Sequence, residues 1–172
     1  MEASITEPAL PAAKYYIPRP MPVWKFITLS TCTFGIYIGI WNYQQWKFLK
    51  SKHNGDLSPF WRAVLSIFFL YPLLAELKRE ALTHNIEEDV SPGATAVCYA
   101  LLCFSFRLPA PWELVGFLNV VPLIPSIGLG RKIAEAELGP DRPPSQPIWW
   151  EFVIMIVGGG WVVLSVIGSF IH

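Results

Sequence analysis

The sequence contains little charge. Only 15% of its 172 residues are Asp, Glu, Lys or Arg, and 53% are hydrophobic, whereas soluble proteins have roughly 25% charged residues. The 13 basic residues balance the 13 acidic ones, so no overall field attracts nucleic acid or an acidic partner. These proportions indicate a membrane protein of one domain with no nucleic-acid partner.

Residues that perform catalysis or bind metals are also few. The three cysteines, Cys32, Cys98 and Cys103, form no Cys-x-x-Cys pair and lie in apolar stretches, which is typical of small buried hydrophobic residues. The three histidines are far apart in the sequence, and the glycine run at 158–160 lies inside an apolar segment, unlike a phosphate-binding loop. We therefore expect no catalytic residue, no metal site and no cofactor.

The first long apolar run, Phe26 to Trp46, contains no charged residue. As a helix it would be about 31 Å long, which matches the roughly 30 Å hydrocarbon core of a bilayer. Trp24 and Trp46 stand at its two ends, where aromatic rings prefer the headgroup level. The sequence therefore predicts a first membrane span here.

Four further apolar segments follow. Ser58-Pro59 and Ser91-Pro92 each place a capping residue before a proline, which is typical of helix starts. Pro72 is expected to bend the second helix, and Pro122 with Pro125 the fourth. The last segment, 148–171, is the longest apolar run and predicts a second full span.

The predicted fold is an all-α, polytopic membrane domain over 23–172 with about five hydrophobic helices, two long and three short or bent by proline. Their expected ranges are about 24–50, 59–84, 92–107, 111–130 and 148–171. Residues 93–130 either cross the bilayer twice or form a re-entrant hairpin, and two crossings are favoured.

Residues 1–22 include five prolines and show no apolar periodicity, which predicts a disordered tail. Five crossings place more Lys and Arg on the side of the N terminus than on the other side. By the positive-inside rule, the N terminus is then expected in the cytoplasm.

Small residues form stripes that could let helices approach closely. They are Thr31, Gly35 and Gly39 in the first helix and Gly158, Gly160, Ser165 and Gly168 in the last. Packing within the chain is favoured over homodimerisation. Residues expected at the membrane interface are Trp24, Trp46, Trp61, Arg62, Trp112, Trp149 and Trp150.

Three amides form a possible polar site. Asn42 and Gln45 are three residues apart near one end of the first helix, and Asn119 precedes the proline pair of the fourth. They could bond between helices, meet lipid headgroups or line a transport site.

The chain resembles a family of small bacterial multi-span inner-membrane proteins of unknown function over roughly residues 24–135. The motifs that carry the resemblance are TFGIY at 33–37, Trp41, Tyr43, Trp46, SPFWRA at 58–63, LPAPW at 108–112 and VPLIP at 121–125. The resemblance implies a bacterial inner-membrane protein and implies no activity.

The function expected from the sequence is that of a non-catalytic accessory or structural subunit that packs against a larger membrane assembly, against itself, or organises lipid. The alternative is a small transporter or channel with a site at the proline-broken fourth helix, since interrupted helices can form midplane sites.

Overall fold

The computed structural model describes residues 16–53, 58–109, 112–139 and 149–171. All regular structure within these ranges is helical. The helices are α1 (Val23–Cys32), α2 (Ile36–His53), α3 (Pro59–Val64), α4 (Ser66–Thr83), α5 (Pro92–Ser105), a 3₁₀ helix (Trp112–Leu123), α6 (Ile124–Leu138) and α7 (Trp149–Ile171). The all-α class predicted from the sequence is thereby confirmed.

The first apolar run, expected as one helix over 24–50, is two helices joined by a turn. Phe34 and Gly35 have φ angles of 52° and 88°, a left-handed conformation that a continuous α-helix does not contain. The hydroxyl of Thr33 accepts a hydrogen bond from the Tyr37 N–H at 3.0 Å and so caps the first turn of α2.

The turn folds α1 back towards α2. The ring of Phe26 lies edge-on to the rings of Tyr37 and Trp41, with centroids 6.2 Å and 5.9 Å apart. The run 26–46 is therefore not a single membrane-spanning helix, because its two halves pack on each other through their aromatic side chains.

The segment before α1 has no regular structure but is packed against the rest of the chain. The Tyr16 N–H donates to the Ser51 hydroxyl of α2 at 3.0 Å, and Met21 is buried. The prediction of a disordered tail is wrong for residues 16–22. Its remainder, 1–15, lies outside the described residues.

The second apolar segment, expected as one helix over 59–84, is divided as well. It begins after Ser58 with Pro59 at the first turn, as the cap-then-proline pattern indicates, and it breaks at Leu65, where φ is −93° and ψ is 39°. Pro72, where a bend was expected, lies inside α4.

α5 and the 3₁₀ helix form a hairpin. The ring of Phe106 lies against Gly116, where a Cβ atom would be only 2.7 Å from it, and the Asn119 amide donates to Cys103 Sγ at 3.9 Å. Pro122 lies within the 3₁₀ helix; in an α-helix its ring would clash with the carbonyl four residues earlier. The proline pair is thus accommodated by a change of helix type at residue 124.

Helices α2, α4 and α6 end at the same end of the molecule. The Lys52 ammonium of α2 contacts the carboxylates of Glu80 on α4 and Glu137 on α6, and each residue lies within the last four residues of its helix. The alternation of crossings expected from the sequence, which separated Lys52 from Lys78, therefore does not describe α2 and α4. The prediction of a cytoplasmic N terminus relied on assigning Lys and Arg residues to two sides by this alternation. It therefore loses its basis.

Two segments are long and apolar enough to cross a membrane by length and composition, 114–138 and 151–168. The first is nearly half buried against the other helices, whereas the second is almost entirely exposed. α7 packs mainly on α1. These two segments give weak support for a membrane protein, and a fold of five separate crossings is not confirmed.

Apolar and charged side chains occupy opposite ends of α2 and α4. In their first halves, Ile36 and Phe68 are 71% and 76% exposed. Their last turns carry Lys50, Lys52 and Glu80. The molecule therefore has an apolar zone and a charged end.

Candidate functional site

The stripe on α7 contacts α1 through one glycine. A Cβ atom on Gly158 would lie 2.1 Å from the carbonyl oxygen of Cys32, so only glycine allows the two backbones to come this close. The Cys32 thiol donates to the Met155 carbonyl at 3.7 Å beside this contact.

The other small residues of α7 are arranged differently. A Cβ atom on Gly160 or Gly168 would meet no described atom within 4 Å. The Ser165 hydroxyl donates to the Trp161 carbonyl of its own helix at 3.0 Å. Among the small residues of the stripe, Gly158 therefore makes the contact with α1, whereas Gly160 and Gly168 lie on an open face.

The stripe predicted on the first helix is not continuous. Gly35 belongs to the turn, where its φ of 88° favours glycine, and Thr31 lies in the last turn of α1. A Cβ atom on Gly39 would meet no described atom within 4 Å. Gly39 lines an open apolar groove with Ile36, Ile40, Tyr43, Phe60, Ala63 and Val64.

The expected interfacial residues fall into two groups. Trp24, Trp61, Trp112 and Trp149 are exposed. Trp46 is 2% exposed and lies in the core, so its assignment to the membrane interface is wrong. Arg62 is half-buried, and its guanidinium makes a cation–π contact 4.5 Å from the centre of the Trp46 ring. The side chain of Trp150 lies outside the described residues.

The three amides expected as a polar site are all buried. Asn42 is 1% exposed, and neither polar atom of its side chain bonds to a described group. Gln45 packs on Gly130, where a Cβ atom would be 3.7 Å from the amide. Asn119 lies near Gly35 and Cys103 instead, so the structure does not bring the three amides together as one site.

A buried ion pair joins α1 to α7. The Lys25 ammonium lies 2.8 Å from the Glu151 carboxylate, and the two side chains are 3% and 5% exposed. Lys25 directly precedes the first apolar run, and Glu151 is the fourth residue of the last one, 148–171. The charge was overlooked because each residue stands at the end of its apolar run.

A second cluster of ionisable groups lies at the charged end of the molecule. We call it the polar cluster: Lys52 and His53 from α2, Glu80 and His84 from the end of α4, and Glu137 from α6. The His84 Nε2 atom lies 3.0 Å from Glu137 Oε1 and 3.7 Å from Glu80 Oε1. The His53 Nε2 atom lies 3.4 Å from Glu80 Oε2.

Lys52 is the cation at the centre of the polar cluster. Its ammonium contacts both carboxylates through the same Oε1 atoms that face His84. Desolvation lowers the pKa of Lys52, but its hydrogen bonds to Glu137 and Glu80 outweigh that effect, so the pKa is raised above the ordinary 10.5. The ammonium form is therefore the stable one.

Three helix C termini add to the negative charge of the polar cluster. Each C terminus carries roughly half a negative charge from the aligned peptide dipoles, and Glu80 and Glu137 add two full charges. Against these the side chains offer one fixed positive charge, at Lys52. The arrangement attracts a further cation.

Sequence reasoning did not find the polar cluster. The three histidines were noted only as far apart in the sequence, and the fourth helix was expected to end near 130, so that Glu137 lay outside the predicted helices. One signal was present: Glu80 and His84 are four residues apart on a helix and so face the same side. Only the common end of α2, α4 and α6 brings Lys52 and Glu137 to them.

Comparisons with family models, with curated proteins and with solved structures found no match to this chain.

Proposed function

We propose that the protein is a non-catalytic integral membrane protein of the bacterial inner membrane, and that it acts through contacts with another membrane protein. The observation that carries this proposal is a pair of glycines on open apolar faces, Gly39 in the groove and Gly160 on α7. A Cβ atom on either would meet no described atom within 4 Å.

Open glycines at membrane depth favour a protein partner over lipid alone. Apolar side chains that face acyl chains gain little by leaving them, so helix association in a bilayer depends on close packing. A glycine that no described side chain covers is the residue that permits such packing. Gly158 makes a close contact of this kind within the chain, because the backbone carbonyl of Cys32 packs directly against it.

The apolar zone supports insertion in a bilayer. Exposed apolar side chains continue from the groove along α5 and α7, where Leu101 and Ile156 are 63% and 75% exposed. In water such a surface would far exceed the apolar patches of soluble monomers. In a bilayer, the acyl chains of the lipids solvate this apolar surface.

The positive charges support an orientation with the charged end in the cytoplasm. Lys47, Lys50, Lys52, Lys78, Arg79, Arg131 and Lys132 belong to the charged parts of α2, α4 and α6. Arg107 lies in the turn after α5, at the other end of the hairpin. The positive-inside rule then places the polar cluster and the segment 16–22, which packs on α2, on the cytoplasmic side.

The test is to fill the open faces. Gly39→Leu and Gly160→Leu, singly and together, are expected to leave the thermal unfolding of the purified protein nearly unchanged. They should abolish copurification of its membrane partner in mild detergent. Gly128→Leu is a matched control, since a Cβ atom there also meets no described atom within 4 Å. Copurification by the double variant at the level of the unaltered protein would contradict the proposal.

A further inference from the structure

Three ligand-type side chains of the polar cluster converge on one point. The His84 Nε2 atom lies 3.0 Å from Glu137 Oε1 and 3.7 Å from Glu80 Oε1. Ligand atoms bound at about 2.1 Å to a tetrahedral divalent ion lie about 3.4 Å apart. The spacing of these groups is therefore that of a metal's ligands.

The geometry points to a binding site for one first-row divalent transition-metal ion, held by Glu80, His84 and Glu137. The ligand atoms of these three residues lie within 4.8 Å of one another. An imidazole with two carboxylates suits Zn²⁺, Mn²⁺ or Fe²⁺ rather than Ca²⁺ or Mg²⁺, which prefer oxygen alone. This site goes beyond the proposed role of the protein in the membrane.

Lys52 competes with the metal. Its ammonium contacts the Oε1 atoms of both Glu80 and Glu137, so an ion bound by these oxygens must displace it. Lys52 is 21% exposed and sits on a flexible four-carbon chain, which allows the ammonium to move into solvent. Binding is thus an exchange of a single positive charge for a double one at a site that has two carboxylates and three helix C termini.

The elements that hold the ligands are independent of one another in sequence. Glu80 and His84 face one side of α4, and Glu137 stands in the last turn of α6. A bound ion would therefore link the ends of two helices, and its binding free energy would add to the stability of the folded chain.

The decisive variant is Lys52→Met, which removes the competitor and leaves all three ligands. Zn²⁺ binding, measured by calorimetry on the full chain in detergent, is expected to become about tenfold tighter or more, because the repulsion between ammonium and ion is lost. A purely structural ion-pair network predicts the opposite, namely that Lys52→Met only destabilises the chain. Zinc binding that is absent, or no tighter in Lys52→Met than in the unaltered protein, would overturn the proposal.

The ligands are tested with Glu137→Gln and His84→Asn, each added to Lys52→Met. Both are expected to lower zinc affinity at least about 100-fold and to remove the visible absorption of bound Co²⁺. Glu135→Gln is the matched control, since Glu135 lies two residues away on the same helix, is exposed and pairs with Arg131 at 2.7 Å. Glu135→Gln must leave affinity unchanged. Equal binding by all the variants would place the ion elsewhere and refute the site.

Should Glu137→Gln fail to fold, thermal unfolding of His84→Asn decides the question. Zn²⁺ is expected to raise the melting temperature of the unaltered protein and of Lys52→Met but not that of His84→Asn. A similar rise in all three would refute the assignment of His84.

Discussion

The ammonium of Lys25 lies 2.8 Å from the carboxylate of Glu151, with both side chains almost fully buried. Seven residues further along each helix, the carbonyl of Cys32 meets Gly158. Equal spacing on both helices means that α1 and α7 run in the same direction. The ion pair fixes the register at one end of this contact, and the glycine permits close approach at the other.

Removing one partner of the ion pair should destabilise the docking of α7. Lys25→Met leaves Glu151 buried opposite an apolar side chain, and breaking a buried pair in this way typically costs about 3–5 kcal/mol. We expect the melting temperature of this variant in detergent to be correspondingly lower than that of the unaltered protein.

The double variant Lys25→Met with Glu151→Leu provides the control. Apolar replacement of a whole buried pair is often neutral or stabilising, so stability should return to within about 1 kcal/mol of the original. A double variant as unstable as Lys25→Met alone would show that the charges do not act as a pair.

Gly158 and Gly160 should respond oppositely to alanine. Gly158→Ala places a methyl group 2.1 Å from the Cys32 carbonyl, and such overpacking costs about 1–3 kcal/mol. Gly160→Ala meets no described atom within 4 Å and should stabilise the helix by up to about 1 kcal/mol. Chemical denaturation of the two variants in one detergent measures the difference, and equal effects would contradict the α1–α7 contact.

Gly35 and Gly39 give a similar contrast in the first apolar run. Gly35→Ala puts a side chain at a φ of 88° and should cost about 1–2 kcal/mol. Gly39→Ala lies inside α2 and should be neutral or slightly stabilising. If the run were one straight helix, both substitutions would have the same sign of effect on the unfolding free energy, so the pair of measurements tests the turn.

The first apolar run shows why the helical class could be predicted but the path of the chain could not. An uncharged stretch of this length is compatible with a single span or with two helices that bury their aromatic faces on each other. The difference depends on contacts between Phe26 and Trp41 that no local pattern reveals. The sequence analysis predicted that Gly35 lets helices approach closely because it is small. In the structure Gly35 instead provides the left-handed backbone conformation of the turn between α1 and α2.

The polar cluster shows the same limit for the candidate site. Helix starts at Pro59 and Pro92 follow from local chemistry and were predicted, and so was the long helix α7. Lys52 and Glu137 are far apart in the sequence and meet only because α2 and α6 end together. Residue spacing alone could at most have paired Glu80 with His84.

The raised pKa of Lys52 predicts a loss of stability in alkali. Its ammonium is held by Glu137 and Glu80 more strongly in the folded chain than in the unfolded one. The contribution of Lys52 is therefore fully present below its unfolded pKa, near 10.4, and is lost as the pH rises through the higher folded value. Melting temperatures measured from pH 8 upwards should fall on the alkaline side.

Lys52→Arg is the control for the alkaline transition. A guanidinium stays protonated throughout this range, so the variant should keep a flatter profile above pH 10. The same alkaline loss in Lys52→Arg and in the unaltered protein would assign the transition to other groups.

The hairpin of α5 and the 3₁₀ helix should connect the two sides of the membrane. Lys78 of α4 donates to the Val90 carbonyl at 2.9 Å, so α5 begins at the charged end, and it leads to the exposed Leu108. α5 is about 21 Å long at 1.5 Å per residue. With the flanking residues, this length brings Leu108 to the far headgroup region.

Labelling of single cysteines in spheroplasts tests this path. In a background with the native cysteines replaced by serine, Leu108→Cys should react with a charged, membrane-impermeant maleimide from outside. Lys50→Cys should react only after the membrane is permeabilised. A third variant keeps Cys98, exposed on α5, as its one cysteine and should react poorly in both states, because the charged maleimide does not enter hydrocarbon. If Leu108→Cys and Lys50→Cys reacted from the same side, 93–130 would be a re-entrant hairpin. If Cys98 reacted freely, the apolar zone would not lie in the bilayer, and the groove at Gly39 would have to meet its partner in water.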